Sequence, residues 1–449
     1  MTLQGYYTRK KTFQPKKPQN QQSGLIVFLL LHLPLAYLLR TISFAAEAHA
    51  LVTLGAGLWF ALQGKAEKVV FTTAYMVGCE VLWRAAGASI FWEFGKYAVG
   101  LIFLVYLLRI RDVRPPLLAV LFFVPLLPTM MITLDSVPLS EARDAISFNL
   151  SGALTIFLCS TFFSKVVLSK ITLKRTAWFY AAPLLGIIGF QLLSIASAEI
   201  IRFTDESNFV TSGGFGPNQV SSILGIGAMV MFLLLLWDRR SKAARPFQYV
   251  LFILFLSFCA LTFSRNGVYL AVLGSAAALV FSGGSVTRSL QNAFLVAATA
   301  LLVLFVVFPW VNSLTNGMLQ VRILDIQLTG RDRIALADLR IWQDHFWFGV
   351  GPGMAKNYRA LYGSSSYAAH TEITRLLAEH GFLGLFSLLM LAVMSFRNVA
   401  NARNSLTRST RAAFLMTFWI YIAANAMRLV LPGYLIGMTF SQEETETGD

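Results

Sequence analysis

The sequence predicts an all-α polytopic membrane protein with about 12–13 transmembrane helices and one large extramembrane loop. Two observations concern composition: 56% of the residues are hydrophobic and only 13% are charged, whereas soluble domains have about 25% charged residues. The third is that the apolar residues form long runs, such as LIVFLLLHLPLAYLL at 25–39 and MVMFLLLLW at 229–237. Because roughly 20 apolar residues cross a bilayer, these runs indicate membrane spans.

The predicted spans follow one another through most of the chain. They lie near residues 24–39, 49–64, 69–87, 93–108, 115–133, 149–168, 176–197, 218–237, 247–263, 267–284, 290–310, 381–396 and 412–435. The last run contains Arg428 and Pro432, so it is either one long span or a pair that is broken there. These alternatives leave the side of the C-terminus open.

Basic residues are concentrated in alternate connections. They occur in the N-terminal tail and then in every second loop, at Lys65 and Lys68, 109–114, 165–175, 238–245, Arg288 and 397–411. The positive-inside rule predicts that these segments are cytoplasmic. The predicted organisation is a cytoplasmic basic tail (1–23), transmembrane helices (24–310), a large loop with an amphipathic helix on the opposite side (311–380), C-terminal transmembrane helices (381–440) and an acidic tail (441–449).

The formal net charge of +15 is explained by this topogenic pattern and by contact with anionic membrane lipid, so no nucleic-acid partner is predicted. Cys79, Cys159 and Cys259 all fall in apolar spans, which indicates neither a disulfide framework nor a metal cluster. We predict no metal site and no cofactor. The first apolar run follows a long polar tail and lacks a small-residue cleavage site, so we expect no cleavable signal peptide.

Polar and ionisable residues at the outward ends of spans are functional candidates, because such groups are costly in a bilayer. Asn218 follows a Gly-Pro turn in GFGPNQVSSILG and is either a helix cap or an amide that faces a substrate. Arg265, in TFSRNGVYLAV, lies on the outward side against the positive-inside trend. It is either a snorkelling arginine or, as we favour, an anion site, since a guanidinium beside a helix N-terminus suits a phosphate oxygen.

The large loop is predicted to contain an amphipathic helix from Arg331 to Trp347, which Thr329 could cap. Its apolar face has i, i+4, i+7 and i+11 spacing: Ala335, Leu339, Trp342 and Phe346. Arg331 and Arg333 lie in the first turn, where the helix dipole disfavours cations, and this favours a bound anion. The GVGPG segment at 349–353 is a Gly-rich turn without the strand that a dinucleotide fingerprint requires.

The stretch SSSYAAHTEITRLLAEHGFLGL, residues 364–385, leads from the loop into the next span, and we expect its helix to start near His370. Glu372, Arg375 and Glu379 have i, i+3 and i+7 spacing, which predicts a solvated, salt-bridged helix start. His370 is different, because it lies where loop and membrane helix meet. An imidazole with a pKa near 6.5 can accept a proton there at neutral pH.

Motifs of other enzyme classes are absent from the sequence. It contains no HExxH, no Walker loop, no paired cysteines, no nucleophile elbow and no DxD cluster. We therefore predict chemistry that uses neither a metal nor a soluble nucleotide donor.

The pattern His370-Thr371, nine residues and then Gly381-x-x-Gly384 resembles the signature of the O-antigen ligase and polymerase superfamily. Further segments are similar in order and spacing: Ser264-Arg265, Thr329-Gly330-Arg331, GVGPGM at 349–354 and, more weakly, Pro217 to Gln219. The resemblance covers roughly residues 200–400. Thr371 stands where ligases of the family have Asn, Ser or Gln, so the choice between ligase and polymerase stays open.

The resemblance implies a metal-independent, inverting glycosyltransferase of the bacterial inner membrane, with its active site on the periplasmic face. It would move a glycan from undecaprenyl diphosphate to a hydroxyl of an acceptor glycan or glycolipid. Arg265 and Arg331 would neutralise the diphosphate leaving group, and His370 would be the general base. The candidate substrate-binding residues are Asn218, Arg333, Trp342, Arg375 and Glu372. Loop aromatics could stack on sugars or form an interfacial belt: Trp342, Trp347, Tyr358, Tyr362 and Tyr367.

Within the family, the loop motifs favour the O-antigen ligase type, which acts in lipopolysaccharide or surface-polysaccharide biosynthesis. The alternative is an O-antigen or exopolysaccharide polymerase. A polysaccharide-lipid transporter or flippase is an alternative of a different class, and it predicts charged residues buried in several spans and an inverted repeat. A non-enzymatic scaffold would leave the outward arginines and His370 without a role.

Overall fold

The computed structural model describes residues 19–204, 206–238, 245–283, 294, 301, 305, 308–324, 331–364 and 369–442. Within these ranges the chain is helical and contains no β-strand, and one isolated bridge pairs Val167 with Gln442. The predicted all-α fold is confirmed. Several predicted features lie outside the described residues: the basic tail up to 18, Arg288, most of span 290–310, Thr329 with Gly330, Tyr367 and the end of the acidic tail.

The first half of the described chain consists mainly of long helices. In chain order they are α1 Gln19–Leu30, α2 His32–Thr41, α3 Ala45–Leu62, α4 Ala66–Ala85, α5 Phe94–Arg109, α6 Leu117–Phe123, α7 Met130–Ser136, α8 Leu139–Phe163, α9 Lys170–Ala196 and α10 Pro217–Trp237. Short 3-10 helices occur at Val124–Leu126 and Val210–Ser212.

The second half alternates long and short helices. They are α11 Arg245–Leu261, α12 Arg265–Val280, α13 Phe308–Leu314, α14 Met318–Leu324, α15 Arg331–Asp344, α16 Ala355–Tyr358, α17 Glu372–Ala400, α18 Ser405–Ala424 and α19 Leu431–Met438, with a 3-10 helix at Arg359–Tyr362. The last predicted span is therefore a broken pair, α18 and α19, joined by residues 425–430.

Seven helical segments of the described chain are long and apolar enough to cross a membrane: Ser23–Thr41, Ala45–Leu62, Leu117–Ser136, Leu139–Phe163, Lys170–Ala196, Pro217–Trp237 and Glu372–Ala400. Two shorter apolar helices, α11 and α12, accompany them. Together these segments describe a multi-pass membrane protein, as the composition predicts.

The basic connections meet at one end of the helix bundle, which we call the basic-loop face. Arg109 Nε donates to the Leu62 carbonyl at 2.9 Å, and Lys165 forms an ion pair with Asp112 at 3.0 Å. Gln442 Nε2 donates to the Ser164 carbonyl at 2.9 Å. The chain at residue 442 therefore lies on the basic-loop face, a placement that the sequence left open.

The starts of α10 and α12 lie side by side because their backbones approach closely. A Cβ atom on Gly225 would collide with the Gly267 carbonyl, and one on Gly267 would collide with the Ser221 carbonyl. Small residues permit this kind of contact between membrane helices. The close approach brings the segment after Pro217 next to the segment after Ser264, at the opposite end of the bundle, which we call the His370 face.

Candidate active site

Helix α17 bends at Gly381, whose φ of +61° and ψ of −135° are not helical. In a continuous helix the Phe382 N–H would bond to the Ala378 carbonyl, but it donates to the Phe346 carbonyl at 2.6 Å instead. The Ala378 carbonyl accepts from the Val350 N–H at 3.0 Å, and the Glu379 carbonyl accepts from the Gly351 N–H at 2.9 Å. The Gly-rich turn 349–353 therefore stabilises the bend, because it satisfies helix carbonyls that the bend leaves without their usual partners.

Glycine is required on both sides of this contact. A Cβ atom on Gly381 would lie 2.5 Å from the Gly349 nitrogen and 2.5 Å from the Phe346 oxygen, and one on Gly349 would collide with the Glu379 backbone. Both residues also have positive φ, at +61° and +67°, which glycine adopts at little cost. The His/Gly signature and the Gly-rich turn, which are separate motifs in the sequence, form one structural unit.

The first turns of α17 carry a buried ion cluster, which corrects the predicted solvated helix start. Glu372, Arg375 and Glu379 are 1%, 4% and 3% exposed. Each of the five N–H donors of Arg375 has an acceptor: both Glu372 oxygens, a Glu379 oxygen, and the side-chain and backbone oxygens of Asn149 at 3.2 and 3.0 Å. The salt bridges form as predicted, but burial makes this complete pairing necessary, because an unpaired buried charge is costly.

The direct roles predicted for Arg375 and Glu372 in binding substrate stay predictions. Glu372 also accepts from the Met427 N–H at 3.0 Å, so both side chains already have several protein partners. A substrate group would have to displace one of these bonds. The geometry of Glu372 and Arg375 is that of side chains that hold neighbouring protein groups in place.

His370 lies two residues before α17, which starts at Glu372 rather than at the histidine. Thr371 is the N-cap, and its hydroxyl accepts from the Ile373 N–H at 3.2 Å. Burial, together with the guanidiniums of Arg331, Arg428 and Arg359, lowers the pKa of His370 to about 4. The imidazole is therefore neutral at pH 7 and can accept a proton.

A cavity of about 630 Å³ adjoins His370 through the neighbouring Ala369, which lies in its wall. The start of α8, residues 353–359, the first turns of α17 and residues 426–428 enclose it. Its cationic lining residues are Lys356, Arg359, Arg375 and Arg428, and its acidic ones are Glu141, Asp144 and Glu379. A polar cavity of this size is suited to a charged or hydroxylated ligand.

Asn218 and Arg265 form a second cluster on the His370 face. The Ser264 hydroxyl donates to Asn218 Oδ1 at 2.8 Å, and Ser264 is the N-cap of α12, which Arg265 begins. The cap of α10 is Gly216, followed by Pro217, so the alternative of Asn218 as a helix cap is wrong. The predicted position of Arg265 at a helix N-terminus is the observed one.

Arg84 links the two clusters. Its Nη1 donates to Gln219 Oε1 at 3.0 Å, and its Nη2 donates to the Arg428 carbonyl at 3.1 Å. Arg428 Nη2 in turn reaches the Ala369 carbonyl at 3.5 Å. Arg331 separately acts on His370 through its charge. The chain of bonds reaches Gln219, the residue that follows Asn218 on α10.

The loop helix α15 ends at Asp344, earlier than the predicted Trp347, and its buried face is displaced from the predicted one. The buried residues are Ile334, Ala337, Asp338 and Ile341. The reason is polar: Asp338 faces inward to hold buried Arg359, at 2.7 and 3.1 Å. Trp342 is half-buried with its ring centroid 5.7 Å from that of Phe346, and Arg333 is exposed. Their predicted contacts with substrate stay predictions.

Sequence reasoning missed a set of charged residues within apolar spans. Glu80 and Arg84 on α4 are ion-paired at 2.7 Å, and Lys96 on α5 is 2% exposed. The available signal was their position inside apolar runs, where ionisable residues are rare. The transporter alternative predicts buried charges in several spans. Here, however, these side chains bond to one another and to residues 425–430. Their position is therefore explained by their bonds to this loop, without a transport role.

The fold and this site define a multi-pass helical membrane protein with a polar cavity beside a neutral histidine. Residues 250–389, from α11 into α17, match the family described as O-antigen ligase. This match confirms the predicted resemblance to the O-antigen ligase superfamily over these residues, and it supports a membrane glycosyltransferase of the general ligase or polymerase type. No curated protein matches the chain. Among the described residues, no group of three His, Cys, Asp or Glu could hold a metal ion.

Proposed function

We propose that the protein transfers a glycan from undecaprenyl diphosphate to an acceptor hydroxyl, in the cavity beside His370. The observation that carries this proposal is a neutral imidazole next to both a polar cavity and several guanidiniums. The imidazole can take a proton, and the guanidiniums suit a diphosphate. The family match over 250–389 supports a lipid-linked glycan as donor.

In the proposed reaction the acceptor oxygen attacks the anomeric carbon of the donor sugar while His370 takes the hydroxyl proton. A new carbon–oxygen bond forms as the bond from the anomeric carbon to the diphosphate oxygen breaks. The diphosphate leaves with the bonding electron pair, and the proton on the imidazolium is later released to water. A single displacement of this kind inverts the configuration at the anomeric carbon.

Arg331 and Arg265 supply the charge that the leaving group requires. A developing diphosphate anion is stabilised by fixed guanidiniums in a site that excludes bulk water. The same anion would raise the pKa of His370, because it offsets the cations that lower it. The base therefore becomes stronger when the donor is bound, which couples proton transfer to a loaded site.

We further propose that the His370 face is periplasmic and that the membrane is the bacterial inner membrane. The gathering of basic loops at the opposite face supports this orientation. The ligase type is favoured over the polymerase type by the loop motifs, whereas Thr371 departs from the ligase pattern.

The test uses purified protein in liposomes with a fluorescent lipid-linked glycan and one candidate acceptor at a time. His370→Ala is expected to reduce transfer by about 100- to 10,000-fold, the usual contribution of general base catalysis. His345→Ala is the matched control, because His345 packs against Tyr358 with ring centroids 5.3 Å apart. Full activity in His370→Ala would refute the histidine-base mechanism. A single product indicates a ligase, and a ladder indicates a polymerase.

A further inference from the structure

Residues 425–430, between α18 and α19, are non-helical and lie inside the helix bundle, where Met427, Leu429 and Val430 are buried. Non-helical backbone at membrane depth requires protein or water partners, because lipid offers no hydrogen bonds. The hydrogen-bond partners of this loop therefore show what keeps it in place.

Four backbone groups of the loop bond to four charged side chains: two N–H groups donate to carboxylates, and two carbonyls accept from cations. Glu372 accepts from the Met427 N–H at 3.0 Å and Glu80 accepts from the Val430 N–H at 2.8 Å. Lys96 donates to the Met427 carbonyl at 3.3 Å and Arg84 donates to the Arg428 carbonyl at 3.1 Å. Helices α4, α5 and α17 thus fix the loop from three sides.

The loop holds the Arg428 side chain at the wall of the 630 Å³ cavity. Its guanidinium is half-buried and bonds to the Ala369 carbonyl, next to His370. Three other arginines of this region are ion-paired: Arg84 with Glu80, Arg359 with Asp338, and Arg375 with Glu372 and Glu379. In the part of the chain that the structure describes, no carboxylate forms such a pair with Arg428.

We propose that Arg428 binds the diphosphate of the isoprenoid donor, and that Glu80, Arg84, Lys96 and Glu372 are positioning residues that hold its loop. This inference rests on the proposed function, since it assumes a diphosphate donor in the cavity. A guanidinium without a carboxylate partner keeps N–H donors for an anion, and its planar fork matches two phosphate oxygens at once. The rigid loop fixes that fork beside the base.

Binding of a short isoprenoid tests the inference without turnover. Farnesyl diphosphate and farnesyl monophosphate are titrated onto purified full-length protein in detergent, with the wild type, Arg428→Gln, Arg428→Lys and Arg340→Gln compared. Arg340 is an exposed cation on α15 and is the control. Arg428→Gln is expected to weaken diphosphate binding by about 10- to 100-fold, the loss typical of charge-assisted hydrogen bonds. Arg428→Lys should lie between it and the wild type, and monophosphate binding should change less.

A measurement on the unmodified chain covers the case in which Arg428→Gln does not fold. Farnesyl diphosphate is expected to protect Arg428 from phenylglyoxal in the wild type, with the modified residue located by mass spectrometry. Unaltered modification of Arg428 at saturating diphosphate, or unaltered diphosphate affinity in a folded Arg428→Gln, would overturn the inference. If Arg331→Gln still weakens diphosphate binding, the proposed function stands; if the wild type binds no diphosphate, the proposed function itself fails.

The positioning residues are tested through the donor alone. Lys96→Met is expected to raise the KM for the lipid-linked donor by about 10-fold while the KM for the acceptor is unchanged, because only the loop that carries Arg428 is released. Lys96→Arg should restore the donor KM, since it can again donate to the Met427 carbonyl. An equal loss for donor and acceptor, without rescue, would assign Lys96 a general structural role.

Discussion

The sharpest prediction concerns the proton affinity of His370 and what sets it. Burial is the largest cause of the lowered pKa, followed by Arg331, Arg428 and Arg359. Because burial is a larger cause than Arg331, removal of Arg331 should restore only part of the lowered pKa. Arg331→Gln should therefore raise the pKa of His370 above about 4 but leave it below its usual value of about 6.5.

The assay is the rate at which diethyl pyrocarbonate modifies His370, followed by mass spectrometry of the peptide that contains it. The reagent attacks neutral imidazole, so the rate falls as pH falls through the pKa. The wild type should show a midpoint near pH 4, and Arg331→Gln a higher one. Arg340→Gln, which removes an exposed cation from the same helix, should leave the midpoint unchanged.

Two results would refute this reasoning. A wild-type midpoint near 6.5 would mean that neither burial nor the guanidiniums act on the imidazole. An unchanged midpoint in Arg331→Gln would mean that the charge of Arg331 does not act on the His370 imidazole. In turnover the sign is the same: kcat/KM should fall as pH drops through about 4, because the base works in its neutral form. A bound diphosphate should move the corresponding midpoint in kcat to higher pH.

Three further changes test the framework of the site, each by the thermal stability of purified protein in detergent. Gly381→Ala should destabilise by about 1–3 kcal/mol or more, since the backbone conformation is strained for alanine and its Cβ meets backbone atoms; an unchanged Tm would contradict the bend. Arg375→Met should lower the free energy of unfolding by about 3–5 kcal/mol, because it leaves two buried carboxylates unpaired. Arg143→Met, in an exposed ion pair, is the control and should change the stability little. Equal effects of the two changes would argue that the cluster is solvated. Thr371→Ala should cost about 1 kcal/mol and Thr371→Asn nearly nothing, as expected of an N-cap, and the cap role is wrong if both lose the same amount.

The sequence was sufficient for features that follow from hydropathy and local spacing. Apolar runs predict the helices, and Arg265 begins α12 as expected. The electrostatic proximity of Arg331 to His370 also agrees with the motifs, although they lie far apart in the chain. The helices and the position of Arg265 depend on short-range patterns, which a linear sequence displays directly, whereas the proximity of Arg331 to His370 was implied by the family resemblance.

The sequence was insufficient where tertiary packing decided the environment. The i, i+3, i+7 spacing of Glu372, Arg375 and Glu379 predicts ion pairs correctly, but no local pattern says that Asn149 on α8 and Met427 will cover them. The face of α15 was misassigned for a related reason. Asp338 counts as polar in any periodicity, yet it is buried because Arg359 binds it.

The contact between the Gly-rich turn and the bend in α17 makes the large loop and a membrane helix mechanically dependent. Two backbone hydrogen bonds join residues 350 and 351 to the carbonyls of Ala378 and Glu379, just before Gly381, so a tilt of the loop would change the angle of the helix. Beyond the bend, α17 presents Leu389 and Phe396 on the outside of the bundle, where lipid would surround them. A ligand that shifted the loop would therefore also shift the part of α17 that lipid would surround, and by linkage a change in bilayer thickness that altered this angle would alter the affinity for that ligand.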